Sequence, residues 1–209
     1  MPGFRKLILL GYSGHSFVVL DVASSLGYRV IGYLERFEKE KNPHQLEYLG
    51  NEKDYQPKDD VTDLFFFPAV GDGPIRKKLV EFLTFRDWRQ VHLVDRSATV
   101  SDYATLGLST LVCPKAVVNS FATVGVGCII NSGAVVEHEC KLEDFVHVAP
   151  GAVLAGDVKV GRNSFIGAGS VIKEGVKIGE NIIVGAGSLV LKDICDPGIY
   201  IGSPVKKIK

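Results

Sequence analysis

From Val100 onward an aliphatic residue recurs at every sixth position: Val100, Leu106, Val112, Val118, Val124, Ile130, Val136, Leu142, Val148, Leu154, Val160, Ile166, Ile172, Ile178, Val184 and Val190. Two places before each stands, in most repeats, a small residue such as Ala98, Ala104, Thr110, Ala116, Ala122, Cys128, Ala134 or Cys140, and Gly, Asn and Asp crowd the places after. A period of six matches neither the 3.6-residue helix nor the two-residue alternation of a strand. It fits a prism of short parallel strands. Each hexad makes one flat face, the aliphatic residue points inward beside the small one, and Gly or Asn relieves the corner. Three hexads close a turn, so residues 18 apart stack on one edge. The run from Ala98 to Asp193 then gives roughly five turns and, at about 4.8 Å per rung, a column roughly 25 Å tall.

Residues 1–92 carry a different rhythm and form the first of two expected domains, the second being 93–209. Lys6 to Leu10 reads as a buried strand, Gly11-Tyr12-Ser13-Gly14-His15-Ser16 as a glycine-rich turn, and Phe17 to Leu26 as an apolar-faced helix ended by Gly27. A strand from Arg29 to Leu34, a strand from Val61 to Val70, the turn Gly71-Asp72-Gly73-Pro74, a helix from Ile75 to Phe85 and a last short strand from Val91 to Val94 follow. This alternation predicts an α/β domain with parallel strands. Ligands of such domains sit beyond the carboxyl ends of the strands, where a helix N-terminus and free amides favour phosphate. The Gly11 turn lacks the third glycine of G-x-G-x-x-G, so hydride chemistry on a dinucleotide is not expected.

Within the repeat the chemistry-bearing side chains are few. His138 falls two places after an inward Val, at a corner, with Glu139 beside it, a pairing that suits a general base near neutral pH. Gly156 is 18 residues on, one turn away, and its backbone N–H is the candidate to stabilise an oxyanion. His147 lies nine residues after His138, half a turn, so the two imidazoles belong to different faces and only a neighbouring subunit can bring them together. Closed cyclic packing then predicts a homotrimer with active sites between subunits. Ala149-Pro150-Gly151, Gly167-Ala168-Gly169 and Gly185-Ala186-Gly187 share one edge and form a stripe without bulky side chains, open to a slender amide-bearing ligand. Cys140 sits at an inward small position, where a thiol is filler rather than an acyl carrier.

Composition narrows the classes. The 209 residues include 24 Lys plus Arg against 24 Asp plus Glu and are 46% hydrophobic. A net charge of zero gives no broad field for nucleic acid or an acidic membrane. The longest apolar runs, Leu7–Leu10 and Leu64–Phe67, fall far short of a membrane span. Four cysteines form no CxxC pair, which with the lack of an export signal predicts thiols and a cytoplasmic protein.

The segments Gly11-Tyr12-Ser13-Gly14-His15, Val136-Glu137-His138-Glu139-Cys140, His147-Val148-Ala149-Pro150-Gly151 and the terminal Gly202-Ser203-Pro204 resemble the NeuD/PglD-like sugar acetyltransferases over nearly the whole chain. The resemblance implies a small Rossmann-like domain followed by a left-handed parallel β-helix of hexapeptide repeats, a trimer, and transfer of acetyl from acetyl-CoA. The acceptor it implies is the 4-amino group of a nucleotide-linked 4-amino-4,6-dideoxy sugar or, as an alternative, a sialic acid or related sugar hydroxyl. By the same resemblance His138 is the general base, Glu139 raises its basicity, and His147, Ala168 and Ala186 contact acetyl-CoA. Ser13, Gly14, His15 and Gly71 hold the nucleotide sugar. Glu35 and Arg36, with Phe37, stand where an Asp-rich segment is common and are expected to influence which nucleotide sugar is chosen, while Lys206, Lys207 and Lys209 either meet the 3′-phosphate of CoA or form a solvated tail. No metal is expected: a zinc hydratase on such a prism needs three histidine ligands, and only His138 and His147 lie in the repeat. A non-catalytic nucleotide-sugar sensor is the remaining alternative, marked by failure to bind acetyl-CoA.

Overall fold

The computed structural model describes residues 5–57 and 63–209. The chain falls into two compact units, Met1–Leu93 and Val94–Lys209.

In the first unit, β1 (Lys6–Leu10), α1 (Gly14–Ser25), β2 (Arg29–Leu34), β3 (Leu64–Pro68) and α2 (Gly73–Phe85) follow in order. The three strands are parallel in the order β2-β1-β3, with Leu10 paired to both Leu34 and Pro68. The central strand buries Leu7, Ile8, Leu9 and Leu10 completely, as a strand covered on both faces must. Both helices begin earlier than the apolar pattern suggests, and for the same reason. Ser13 caps α1, its N–H donating to Ser16 Oγ at 2.9 Å, and Asp72 caps α2, its carboxylate accepting from Ile75 N at 2.9 Å. The expected strand Val61–Val70 differs: Val61 and Thr62 lie outside the described residues, and the strand ends at Pro68, with Ala69 N still donating to Leu10 O at 2.8 Å. The expected strand Val91–Val94 shrinks to Leu93–Val94, which pairs into a sheet of the repeat rather than with β1–β3.

The second unit is a prism of parallel two-residue strands, each hydrogen-bonded to the strand 18 residues away, as in Val117, Val135, Val153 and Val171. Its three faces differ in what they present outward. A valine face carries Thr99, Val117, Val135, Val153, Val171 and Leu189; a lysine face carries Thr105, Thr123, Lys141, Lys159 and Lys177; a histidine face carries Leu111, Ile129, His147, Phe165 and Ile183. All sixteen aliphatic residues of the six-residue period close a strand, and the fourteen from Val112 to Val190 are at most 4% exposed. At about 1.5–3 kcal/mol for each buried aliphatic side chain, this seam is the main source of the unit's stability. The polar small residues inside are satisfied by carbonyls of the next turn: Thr110 Oγ1 donates to Gly125 O, Ser164 Oγ to Gly179 O and Ser170 Oγ to Gly185 O, each at 2.8 Å. After the last hexad, Gly198–Gly202 adds one more rung beside Ile182–Val184 and folds back as Val205–Lys207.

Candidate active site

His138 and Glu139 follow Val135–Val136 at the corner between the valine and lysine faces. Glu139 adopts the left-handed conformation, φ 61°, held by its N–H donating to Ser120 O at 3.0 Å. This bend turns its carboxylate back onto the preceding imidazole, and Glu139 Oε2 lies 3.1 Å from His138 Nδ1. The ring leans over the next turn. A Cβ built on Gly156 would stand 2.6 Å from His138 Cε1 and 2.7 Å from Nε2, so only glycine leaves room for the imidazole there. Gly156 is buried beneath the ring, and its N–H makes no hydrogen bond among the described residues. The three residues singled out for catalysis therefore meet within one corner. Glu137, on the same corner, accepts from Asn119 Nδ2 at 2.8 Å.

His147 opens a strand of the histidine face, on a different side of the prism from the corner of His138. Its ring packs edge-on against Phe165, centroids 4.9 Å apart, and Nε2 lies 3.2 Å from Asn131 Nδ2. Asn131 went unmarked in the sequence, where an Asn after an inward Ile looks like any corner residue. Its partner was legible only through the 18-residue register, which brings Ile129 beside His147.

The stripe of small residues is bare as expected: Ala168 and Ala186 are exposed and their N–H groups make no hydrogen bond among the described residues. Gly151, Gly169 and Gly187 hold φ of 65–66°, the conformation L side chains avoid, which accounts for these three by backbone alone. Gly167 is there for another reason, since a Cβ would meet Ala186 N and Gly185 C at 2.5 Å.

Cys140 is fully buried, its Sγ 3.2 Å from Ala155 O, and burial pushes its pKa up to about 11. A thiol so placed stays protonated and offers no nucleophile.

In the first unit a cleft of about 320 Å³ opens at the carboxyl ends of the three strands, walled by Gly11, Ser13, Glu35, Arg36, Val70 and, from the segment after β2, Lys39. Gly11 has φ 93°, and a Cβ on it would run into Val70 Cγ2, so the turn closes only with glycine. Glu35 is tied down: Oε2 accepts from Tyr12 N at 3.2 Å and lies 3.4 Å from Lys39 Nζ. Ser13 and Gly14 are exposed at the start of α1, a 12-residue helix whose N-terminal dipole favours an anion. His15 and Gly71 are not walls of this cleft. They pack on each other instead, Gly71 lying where a Cβ would be 3.5 Å from His15 Cγ. Burial, helped by the nearby Arg76 guanidinium, lowers the His15 pKa to about 4, so the ring is neutral at pH 7. Arg76 is itself buried and donates to Gly71 O at 2.8 Å.

Lys206, Lys207 and Lys209 are exposed on and beyond the terminal hairpin. Among the described residues no helix is long and apolar enough to cross a membrane, and no three His, Cys, Asp or Glu side chains gather in an arrangement that could hold a metal ion.

Residues 6–83 match the model of the PglD N-terminal domain, and residues 139–174 and 157–192 match the bacterial transferase hexapeptide (six repeats). Among solved structures, the acetyltransferase domain of PglB from Neisseria gonorrhoeae is 31% identical, with 98% of this chain and 100% of that one covered and a TM-score of 0.91. The same domain in complex with acetyl coenzyme A gives 30% identity, 99% and 100% coverage and a TM-score of 0.90. PerB from Caulobacter crescentus, in complex with CoA and GDP-perosamine, is 29% identical, covering 99% of both chains with a TM-score of 0.89.

Proposed function

This chain belongs to the NeuD/PglD-like sugar acetyltransferases, and we propose that it moves the acetyl group of acetyl-CoA onto the 4-amino group of a nucleotide-linked 4-amino-4,6-dideoxy sugar. The observation that carries this reading is the His138–Glu139 pair at 3.1 Å, with Nε2 over Gly156. A carboxylate against Nδ1 selects the tautomer that donates from Nδ1 and leaves the lone pair on Nε2 to accept a proton.

The amine nitrogen attacks the thioester carbonyl carbon while His138 Nε2 takes its proton. As the C–N bond forms, the carbonyl electrons move onto oxygen, where the Gly156 N–H, which makes no hydrogen bond among the described residues, donates to the oxyanion. Collapse re-forms the carbonyl and breaks the C–S bond, and His138 returns the proton to the departing thiolate. The products are the sugar amide and free CoA. No acyl-enzyme is needed, consistent with the inert Cys140.

The remaining parts follow from the same reading. The stripe at Ala168 and Ala186, with His147, takes the acetyl-CoA arm. Ser13 and Gly14 receive the phosphates at the head of α1, Glu35 and Arg36 face the nucleotide, and His15 with Gly71 shapes the turn behind them. The outward aliphatics of the valine face, with Val171 43% exposed, suit a contact between copies of a trimer that brings His147 of one protomer toward His138 of another. The setting is the cytosol, which supplies acetyl-CoA. Support comes from the acetyl coenzyme A held by the PglB domain, and from the perosamine N-acetyltransferase of Caulobacter crescentus, in complex with CoA and GDP-perosamine.

His138→Ala tests the base. Turnover falls about 10²- to 10⁴-fold with little change in acetyl-CoA binding, and near-normal turnover overturns the assignment. Assaying the protein with acetyl-CoA against UDP-, GDP- and dTDP-linked 4-amino sugars identifies the acceptor. Preference for a sialic acid hydroxyl in the same assay would replace N- by O-acetylation.

A further inference from the structure

Tyr103 and Phe121 are 68% and 62% exposed, and their rings stack with centroids 5.4 Å apart at a 30° tilt. Both stand on the corner of the prism that carries the candidate base. Residues 103, 121 and 139 are spaced by 18, and the bond from Glu139 N to Ser120 O sets Phe121 one strand spacing, about 4.8 Å, from Glu139.

Phe121 is an improbable residue for its place. Its φ is 60°, at a position that the stripe's corner fills with Lys115 and then Gly133, Gly151, Gly169 and Gly187, and the third corner with Ser109, Gly127, Phe145, Asn163 and Asn181. A bulky side chain in that conformation is strained, and an apolar ring left in water gains nothing by burial. Phe145, the other aromatic residue at a left-handed corner, is partly covered, whereas Phe121 is exposed and sets its ring against the exposed Tyr103. Two penalties are thus accepted at one residue, one turn from His138.

The geometry points to Tyr103 and Phe121 as an aromatic platform for the apolar face of the acceptor sugar. This inference rests on the reading that His138 serves a sugar acceptor. A pyranose shows one face of C–H bonds, and a 6-deoxy sugar adds a methyl group where others carry a hydroxyl, so a flat aromatic surface favours it over the 6-hydroxy form. Hydroxyl partners stand at the platform's edge: Ser101 Oγ and Ser120 Oγ lie 3.2 Å apart on the same corner. The bare stripe with its open amides lies on another corner, which leaves this one for the acceptor.

Phe121→Asn separates the possibilities, because Asn is a residue this fold already places in that conformation. The probes are UDP-, GDP- and dTDP-linked 4-amino-4,6-dideoxyhexoses and their 6-hydroxy counterparts, with binding measured by calorimetry and turnover with acetyl-CoA. The variant keeps or raises its unfolding temperature, binds the 6-deoxy probe about tenfold more weakly, and loses most of its preference over the 6-hydroxy probe, while KM for acetyl-CoA stays put. Unchanged acceptor affinity, a weakened acetyl-CoA KM in its place, or loss of the native assembly in sedimentation overturns the platform. Calorimetry in the His138→Ala background keeps the two readings apart. If affinity for the sugar nucleotide depends on Phe121 there while the parent protein acetylates no amine, the platform stands and the N-acetylation reading falls.

Discussion

Two imidazoles in this molecule lie against glycines, and their surroundings are opposite. At the corner of the prism, His138 is more than half exposed, has a carboxylate at 3.1 Å and presses on Gly156 so closely that a Cβ there would sit 2.6 Å from the ring. In the α/β unit, His15 is partly enclosed near the Arg76 guanidinium and touches Gly71 at ordinary distance. The second environment resists a proton on the ring, whereas the first sets a carboxylate against Nδ1 and leaves Nε2 over the glycine. The same side chain is therefore fitted for proton transfer in one place and for a neutral, shape-defining part in the other. The difference comes from the neighbouring charge and from how much water remains.

The sharpest way to test that contrast is to add one methyl group at each glycine. Gly156→Ala forces the imidazole off its position, and because the ring is exposed it can swing aside without disturbing the core. We expect turnover to fall about 10²-fold through misplacement of the base, with the unfolding temperature nearly unchanged. Gly71→Ala meets His15 only at 3.5 Å or more and should leave turnover and acceptor KM within about twofold. Equal effects at the two sites would dissolve the comparison.

A smaller effect is read from the pH dependence of stability. The His15 pKa lies at about 4 in the fold against the ordinary 6.5, so between those values the unfolded chain binds the proton and the folded one does not. Stability contributed by this residue is therefore complete above pH 6.5, is lost as pH falls toward 4, and changes no further below that. Allowing for the solvent that reaches the ring, the loss is about 2 kcal/mol. His15→Asn should flatten the denaturation midpoint over this window, and an unchanged slope would mean that His15 is not the group responsible.

How much of this was readable in advance differed between the units. Every rung of the prism must place one aliphatic side chain in a narrow interior, so the six-residue period is a steric requirement repeated sixteen times, and the register of 18 then put Gly156 under His138 before any coordinates. The α/β unit has no such repetition. Its helix starts are set by Ser13 and Asp72 caps that precede the apolar pattern, and the segment after β2 that brings Lys39 to the cleft has no period at all. Asn131 escaped notice for a related reason: corners tolerate Asn everywhere, and only the lateral neighbour on the next turn, His147, distinguishes it. Phe121 was equally silent: the left-handed position recurs every six residues, from Ser109 and Lys115 onward, but the period does not say that an aromatic ring placed there stays exposed.

The smallest expected effect concerns Cys140, which adjoins the candidate corner in sequence but points into the prism. Its Sγ meets the carbonyl of Ala155 at 3.2 Å, the same contact, 15 residues on, that Thr110, Ser164 and Ser170 make through hydroxyls at 2.8 Å. Cys140→Ser therefore writes into this rung what three other rungs already hold. The hydroxyl finds its acceptor in place, so stability should change by less than about 1 kcal/mol and turnover should be unaltered. An acyl-carrying thiol would behave otherwise, since serine in an apolar interior with no base at hand cannot take its place. Turnover reduced by an order of magnitude in Cys140→Ser, or acetyl retained on the parent protein after rapid acid quench, would transfer the chemistry from direct attack to a covalent route. Unchanged turnover favours direct attack with His138 as the proposed base.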